Sequence, residues 1–231
     1  MLNKLLIATS IFALLTGLAV NAYPGETVCA FISKKDDFSN SQKQLLQEAK
    51  DRIEAKFGLM QSEPVIVFFK KQDSFWPLQL NKYGSASFLG SKTCVVIGPK
   101  GQNVDVVAHE LMHAETKHRV GYWQRWLELP IWFDEGLAMQ VDHRERYNLP
   151  KDTETSYVRK LHSVSEFSVP DRDLLTNHYA SAKSEVASWV SKVGTDSVYD
   201  HLSSIKEGVP FDAVWLSSET ELTNPSSGHS R

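Results

Sequence analysis

Two imidazoles and a carboxylate stand together in this chain as His109-Glu110-Leu111-Met112-His113. On a helix, residues four apart differ by about 40° around the axis, so His109 and His113 project from one face and can share a single ion. Glu110 sits beside the first imidazole. Its carboxylate can reach a water activated by that ion without itself becoming a ligand, which is where a general base belongs. The chemistry open to such a trio is metal-assisted hydrolysis. Val104, Val106, Val107, Ala108, Leu111, Met112 and Ala114 surround it with apolar residues. Polar groups buried in an apolar helix need a partner. Ordinary core hydrogen bonding explains one such histidine readily and explains all three residues poorly.

A catalytic zinc site takes a third protein ligand and keeps an open position. Two residues qualify, His118 and Glu135. His118 lies five positions past His113, about 140° away around a helix. The elongated HExxHxxGxxH pattern would also need glycine where Thr116 stands and histidine where Arg119 stands. Glu135 lies in Trp132-Phe133-Asp134-Glu135-Gly136-Leu137-Ala138. With the upstream HExxH, this segment resembles the gluzincin metallopeptidases, peptidase-MA-like in type, whose third ligand lies in a W-x-x-E-G-x-A segment. Trp132, Glu135, Gly136 and Ala138 match it, and the spacing from His113 is slightly longer than in the best-known gluzincins.

The resemblance covers roughly residues 85–193. It implies one Zn2+ ion held by His109, His113 and Glu135, with Glu110 as general base. It also implies a tyrosine that donates to the oxyanion. Tyr179 resembles that tyrosine in a segment similar to a Y-x-x-S helix start, though its serines fall at Ser181 and Ser184; His178 and Tyr147 are alternatives. Ser85-Ala86-Ser87-Phe88 is the corresponding edge strand, along which an extended peptide substrate would pair. Asp142 and Asp105 are placed to orient ligand histidines. The implied activity is peptide-bond hydrolysis. The absence of a G-x-M-E-N-like segment favours an endopeptidase over an aminopeptidase. A rival reading of the same residues is a zinc-stabilised binding or inhibitory module without turnover, against which Glu110 argues.

The elements that must position these groups are legible in the pattern. Leu45, Leu46, Ala49, Ile53 and Phe57 recur at helical steps within 41–57, and Gly58 closes that helix. Residues 64–69 (PVIVFF) read as a covered strand. Residues 85–89 and 93–97 read as an antiparallel hairpin across Gly90-Ser91-Lys92, leading into the His109 helix. A helix is expected over 131–147, stopped by Pro150, with helical composition in 154–164, 171–193 and 195–207 and a last apolar patch at 210–216. The fold class expected is α+β: a zincin-like mixed sheet with an antiparallel edge strand and active-site helix, followed by an α-helical C-terminal part.

Residues 1–22 have the layout of a signal peptide: Lys4, an uncharged apolar run from Leu5 to Val20, and small residues before Tyr23-Pro24-Gly25. That run is short of the roughly 20 residues needed to span a bilayer, so no stable membrane insertion is expected after cleavage. The enzyme domain is expected over 23–216 and a flexible tail over 217–231, rich in Ser, Thr, Glu, Asn, Pro and Gly. Export, periplasmic or secreted, would place Cys29 and Cys94 in an oxidising compartment and favour a disulfide between them. The formal net charge of -3 becomes one unit more negative when Lys4 leaves, and nothing in it suggests a nucleic-acid partner. The partner expected is a peptide or protein substrate.

Overall fold

A computed structural model describes residues 38–69, 82–89 and 92–220. The expected signal peptide, the strand candidate at 27–33, Cys29 and the end of the chain beyond Thr220 lie outside the described residues.

Helix α1 (Asn40–Phe57) starts at Ser39, whose hydroxyl accepts from the Gln42 backbone while the Gln42 side chain accepts from the Ser39 N–H. This reciprocal cap satisfies two otherwise orphaned donors. The helix buries Ala49, Ile53 and Phe57, the periodic face read from the sequence, and closes at Gly58 with φ 89°. Strands β1 (Val65–Phe68), β2 (Gly84–Leu89) and β3 (Lys92–Ile97) form a three-stranded sheet in the order β1-β3-β2. β1 runs parallel to β3 and β2 antiparallel, with Ala86 opposite Val95. The central strand β3 is buried from Cys94 to Ile97, whereas β2 is an edge among the described residues.

Helix α2 (Val104–Val120) begins at Asn103, whose side chain accepts from the Val106 N–H, and ends at Gly121. It is buried from Val106 to Lys117 because α1, β2 and β3 pack on it from one side and the later helices from the other. The rest is helical: α3 (Tyr122–Leu127), α4 (Ile131–Ala138), α5 (Val164–Phe167), α6 (Arg172–Val193), α7 (Val198–Lys206) and α8 (Phe211–Thr220). The molecule is therefore a mixed α and β fold, with a small mixed sheet on the N-terminal side of α2.

Three expectations change. The helix expected over 131–147 stops at Ala138 and tightens into 3-10 turns at Met139–Val141 and Glu145–Tyr147. The carbonyls that a continuing helix needs are taken by side chains. The Gln140 amide donates to the Gly136 carbonyl, Lys56 to that of Gln140, and Arg52 to that of Val141. The segment 154–164 forms only a 3-10 turn at Ser156–Lys160, held to α6 by Thr155 and Arg159 through Glu185. The apolar patch at 210–216 belongs to α8, which continues past Ser217 to Thr220.

α8 completes an aromatic cluster of Trp132, Phe133, Trp189, Phe211 and Trp215, whose edge-to-face pairs have ring centroids 4.9 to 6.1 Å apart. Edge-to-face pairs of this kind add about 0.5–1.5 kcal/mol each beyond the area buried. Two of the five rings lie in the first turn of α4, so the cluster fixes the helix that carries Glu135.

Candidate metal centre

α2 presents His109 and His113 from one face, and α4 packs across α2 with Glu135 directed at them. α4 can lie this close to α6 because position 136 is glycine. A Cβ there would fall 2.5 Å from the Ala182 carbonyl oxygen and 2.6 Å from Val186 Cγ2.

Among the described residues, His109, His113 and Glu135 are the group able to hold a metal ion. His109 Nε2 and His113 Nε2 are 3.1 Å apart, and Glu135 Oε2 lies 3.3 Å from the first and 3.4 Å from the second. Donors about 2.0–2.2 Å from a tetrahedral ion are separated by about 3.3–3.6 Å; the two Glu135 edges fall in that range and the His109–His113 edge lies slightly below it, a spacing that suits one small cation. Glu135 Oε2 is buried and has no hydrogen bond. A carboxylate oxygen left so costs several kcal/mol unless positive charge faces it.

The electrostatics have the same sign. Burial alone would raise the pKa of Glu135, but His113 and His109 hold it far below the ordinary carboxylate range. Burial alone would lower that of His113, but Asp134 and Glu135 raise it well above the ordinary imidazole value. The donor set therefore draws positive charge to the point the three residues share.

Each histidine has an aspartate behind it. His113 Nδ1 lies 3.2 Å from Asp134 Oδ2, which is also 2.5 Å from an Arg125 guanidinium nitrogen. Burial would raise the pKa of Asp134, but Arg125 and His113 bring it below the usual range. His109 Nδ1 lies 3.8 Å from Asp142 Oδ2. Asp142 in turn accepts from Arg144 Nε at 2.8 and 2.9 Å. Carboxylates in this position fix the tautomer and orientation of ligand histidines.

Glu110 lies outside the ligand triangle, on the side of β2. Its carboxyl is buried, and burial raises its pKa against the opposing pull of His109 and His113. Gly84 opens β2 directly against it, where a Cβ would come within 2.9 Å of Glu110 Oε1. The missing side chain leaves the carboxyl its room.

Tyr179 reaches the site, its ring centroid 6.2 Å from that of His109. Burial raises its pKa well above the ordinary phenol value, and Glu135, Glu110 and Tyr147 add to the rise. Tyr147 stands behind it at 5.7 Å and accepts from Arg146. The other residues singled out are elsewhere. His118 is exposed and outside the cluster. His178 faces the Phe167 carbonyl at 2.8 Å between the rings of Tyr157 and Phe167, a packing role. Asp105 binds Arg52 at 2.5 Å and the His143 N–H, tying α1 to the turn after α4 without touching a ligand.

The sequence reading missed Asp134, Arg125, Arg144 and Gly84. Asp134 left a usable signal, a second acid beside Glu135 in an otherwise apolar helix. Gly84 left a weaker one, a glycine opening a strand pattern. The two arginines had none, since their partners are set by chain turns. The chain matches no family model, no curated protein and no solved structure.

Proposed function

We propose that this chain is a zinc-dependent peptidase of the gluzincin kind, an exported enzyme that cuts internal peptide bonds. The observation that carries the reading is the near-equilateral triangle of His109, His113 and Glu135 donor atoms, with the unligated carboxyl of Glu110 beside it. Two imidazoles and one carboxylate at tetrahedral spacing suit zinc better than calcium or magnesium, which prefer more oxygen donors. When bound, the ion supplies Lewis acidity toward water and the scissile carbonyl.

The residues of the chain do the remainder. Glu110, its proton affinity raised by burial, accepts a proton from the attacking water at a carboxyl oxygen and returns it to the leaving amine nitrogen. Tyr179 stays protonated across the working pH range and donates its O–H to the oxygen that gains charge as the carbonyl is attacked. Asp134 orients the His113 imidazole from 3.2 Å, and Asp142 backs that of His109 at the longer distance of 3.8 Å. The outer edge of β2 offers backbone N–H and C=O groups to an extended substrate.

The full chain, produced with residues 1–22 in place for processing, should purify with one equivalent of zinc and cleave unfolded casein. Glu110→Gln should keep the zinc and lose cleavage by about 10²–10⁴-fold. Zinc without any cleavage by the unaltered protein would make it a binding module. A protein that takes up no zinc sinks both readings.

A further inference from the structure

At the start of β2, one residue before the glycine that touches Glu110, Tyr83 is ringed by cations. Lys82 Nζ lies 5.6 Å from the centre of its ring and the Arg146 guanidinium 5.7 Å. Lys100 is brought alongside by the backbone, where its N–H donates to the Lys82 carbonyl at 3.1 Å and that of Gly98 to the Tyr83 carbonyl at 2.8 Å. Arg146 also donates to Tyr147 Oη at 2.7 Å, so its guanidinium bridges from the turn after α4 to the residue just before β2. Among the described residues, none of these three cations has a carboxylate within 4.0 Å. Other cations of the same region are spent internally: Arg52 on Asp105 and Arg144 on Asp142. The phenol of Tyr83 registers the charge. Its pKa lies below the ordinary value, first through the hydrogen bond with Arg146, against an opposing push from desolvation, and then through the charges of Lys82, Arg146 and Lys100.

The cluster has a fixed relation to the proposed chemistry. From Glu110 the path runs to Gly84 in direct contact, then to Tyr83 as its chain neighbour, then to Arg146. From there it returns through Tyr147 and Tyr179 to His109. The cations thus stand beside the residue that precedes Gly84, at the end of the strand along which substrate would lie. A like-charged substrate group would be repelled there, and a carboxylate would meet several donors at once. We infer that Lys82, Lys100 and Arg146 form a carboxylate-recognising subsite that selects substrates with a negative charge close to the bond placed over Glu110. This rests on the peptidase reading, and it specifies the substrate class. The carboxylate can belong to an acidic side chain or to the chain terminus, since both present the same group.

Direct binding separates the subsite from turnover. Zinc-loaded Glu110→Gln protein is titrated into fluorescein-labelled ten-residue peptides that differ by one Glu or Gln at each position in turn. Each peptide is made with an amidated and with a free C-terminus, and anisotropy is read at low and high salt. At low salt the best Glu peptide should bind about tenfold tighter than its Gln counterpart, the summed effect of several exposed charge pairs, with the ratio shrinking as salt screens them. Lys100→Gln and Arg146→Gln should each lower the ratio, and Arg146→Glu should invert it. Lys100 is exposed, so its variant keeps the test valid if Arg146 proves necessary for folding through Tyr147. Discrimination seen only with the free C-terminus assigns the carboxylate to the chain end. Equal binding of Glu and Gln peptides, alongside cleavage by the unaltered enzyme, overturns the subsite and leaves the peptidase reading standing. No binding of any peptide counts against both.

Discussion

The two candidate ligand histidines, His109 and His113, are supported in different ways. Behind His113, Asp134 belongs to the same short helix as Glu135, and it stands 3.2 Å from Nδ1 with Arg125 on its far side. Behind His109, Asp142 lies after that helix has ended, 3.8 Å from Nδ1, and its carboxylate is gripped by Arg144 through both oxygens. The position of Asp142 depends on ties from two other helices. Arg52 and Lys56 of α1 hold the carbonyls of Val141 and Gln140, and Lys183 of α6 holds that of Asp142. One support is local and close, the other distributed and looser. A helix delivers neighbouring side chains with little freedom, whereas a turn is only as well placed as the contacts that pin it.

The comparison can be broken at its centre. Glu135→Gln removes the charged donor common to both histidines, and zinc affinity should fall by more than the about 100-fold that marks the upper end of outer-shell changes. Competition against a chromogenic chelator measures it. Near-normal affinity would show that Glu135 is not a ligand and leave the contrast between the two aspartates without a subject.

Next in size are the aspartates themselves. Asp134→Asn should weaken zinc binding by about 100-fold and Asp142→Asn by about tenfold, the two ends of the range for groups behind a ligand histidine. Circular dichroism of each variant separates a local effect from unfolding, which matters for Asp134 because its carboxylate also pairs with Arg125. Equal losses at the two positions would end the distinction between close and distributed support.

Gly136→Ala tests whether α4 works as a single delivered unit. The added Cβ meets the backbone of α6 at Ala182, so α4 must shift with Asp134 and Glu135 together. Such overpacking should cost about 1–3 kcal/mol in denaturant unfolding and weaken zinc binding as well. Loss of stability with unchanged zinc affinity would mean that the ligands move independently of their helix.

The smallest effect expected lies on the His113 side, one turn along α2. Burial, and then Arg125, lower the pKa of Lys117 from 10.5 to about 8. Below about pH 8 this lysine is protonated in the folded and unfolded chains alike, and its burial penalty is fully present. Between about 8 and 10.5 the unfolded chain holds the proton and the folded one does not, so stability rises with pH across that window. Lys117→Met should therefore be more stable than the unaltered protein at pH 7, by about 1 kcal/mol after allowance for solvent around the ammonium, and should lack the alkaline rise. Thermal melts from pH 7 to 10.5 read this directly, and an unchanged slope would place the origin of the rise elsewhere.

Periodicity and spacing carried a large part of this protein. The α1 face, the strand–hairpin order before α2, the shared face of His109 and His113 and the choice of Glu135 over His118 all follow from side chains close in sequence. Tyr179 stands out by a looser resemblance, and only the tertiary structure brings its ring beside His109. Steric preference and hydrophobic burial act over a few residues and leave their mark in a single chain. The end of α4 at Ala138 did not follow, because Lys56 and Arg52 remove its continuing carbonyls from more than 80 residues away. The arginines behind Asp134 and Asp142, the room that Gly84 makes for Glu110 and the cationic ring about Tyr83 likewise came only from the tertiary structure. Hydrogen bonds and charge pairs across a turn or between distant segments depend on where the chain turns, and that is set by the packing of the whole core.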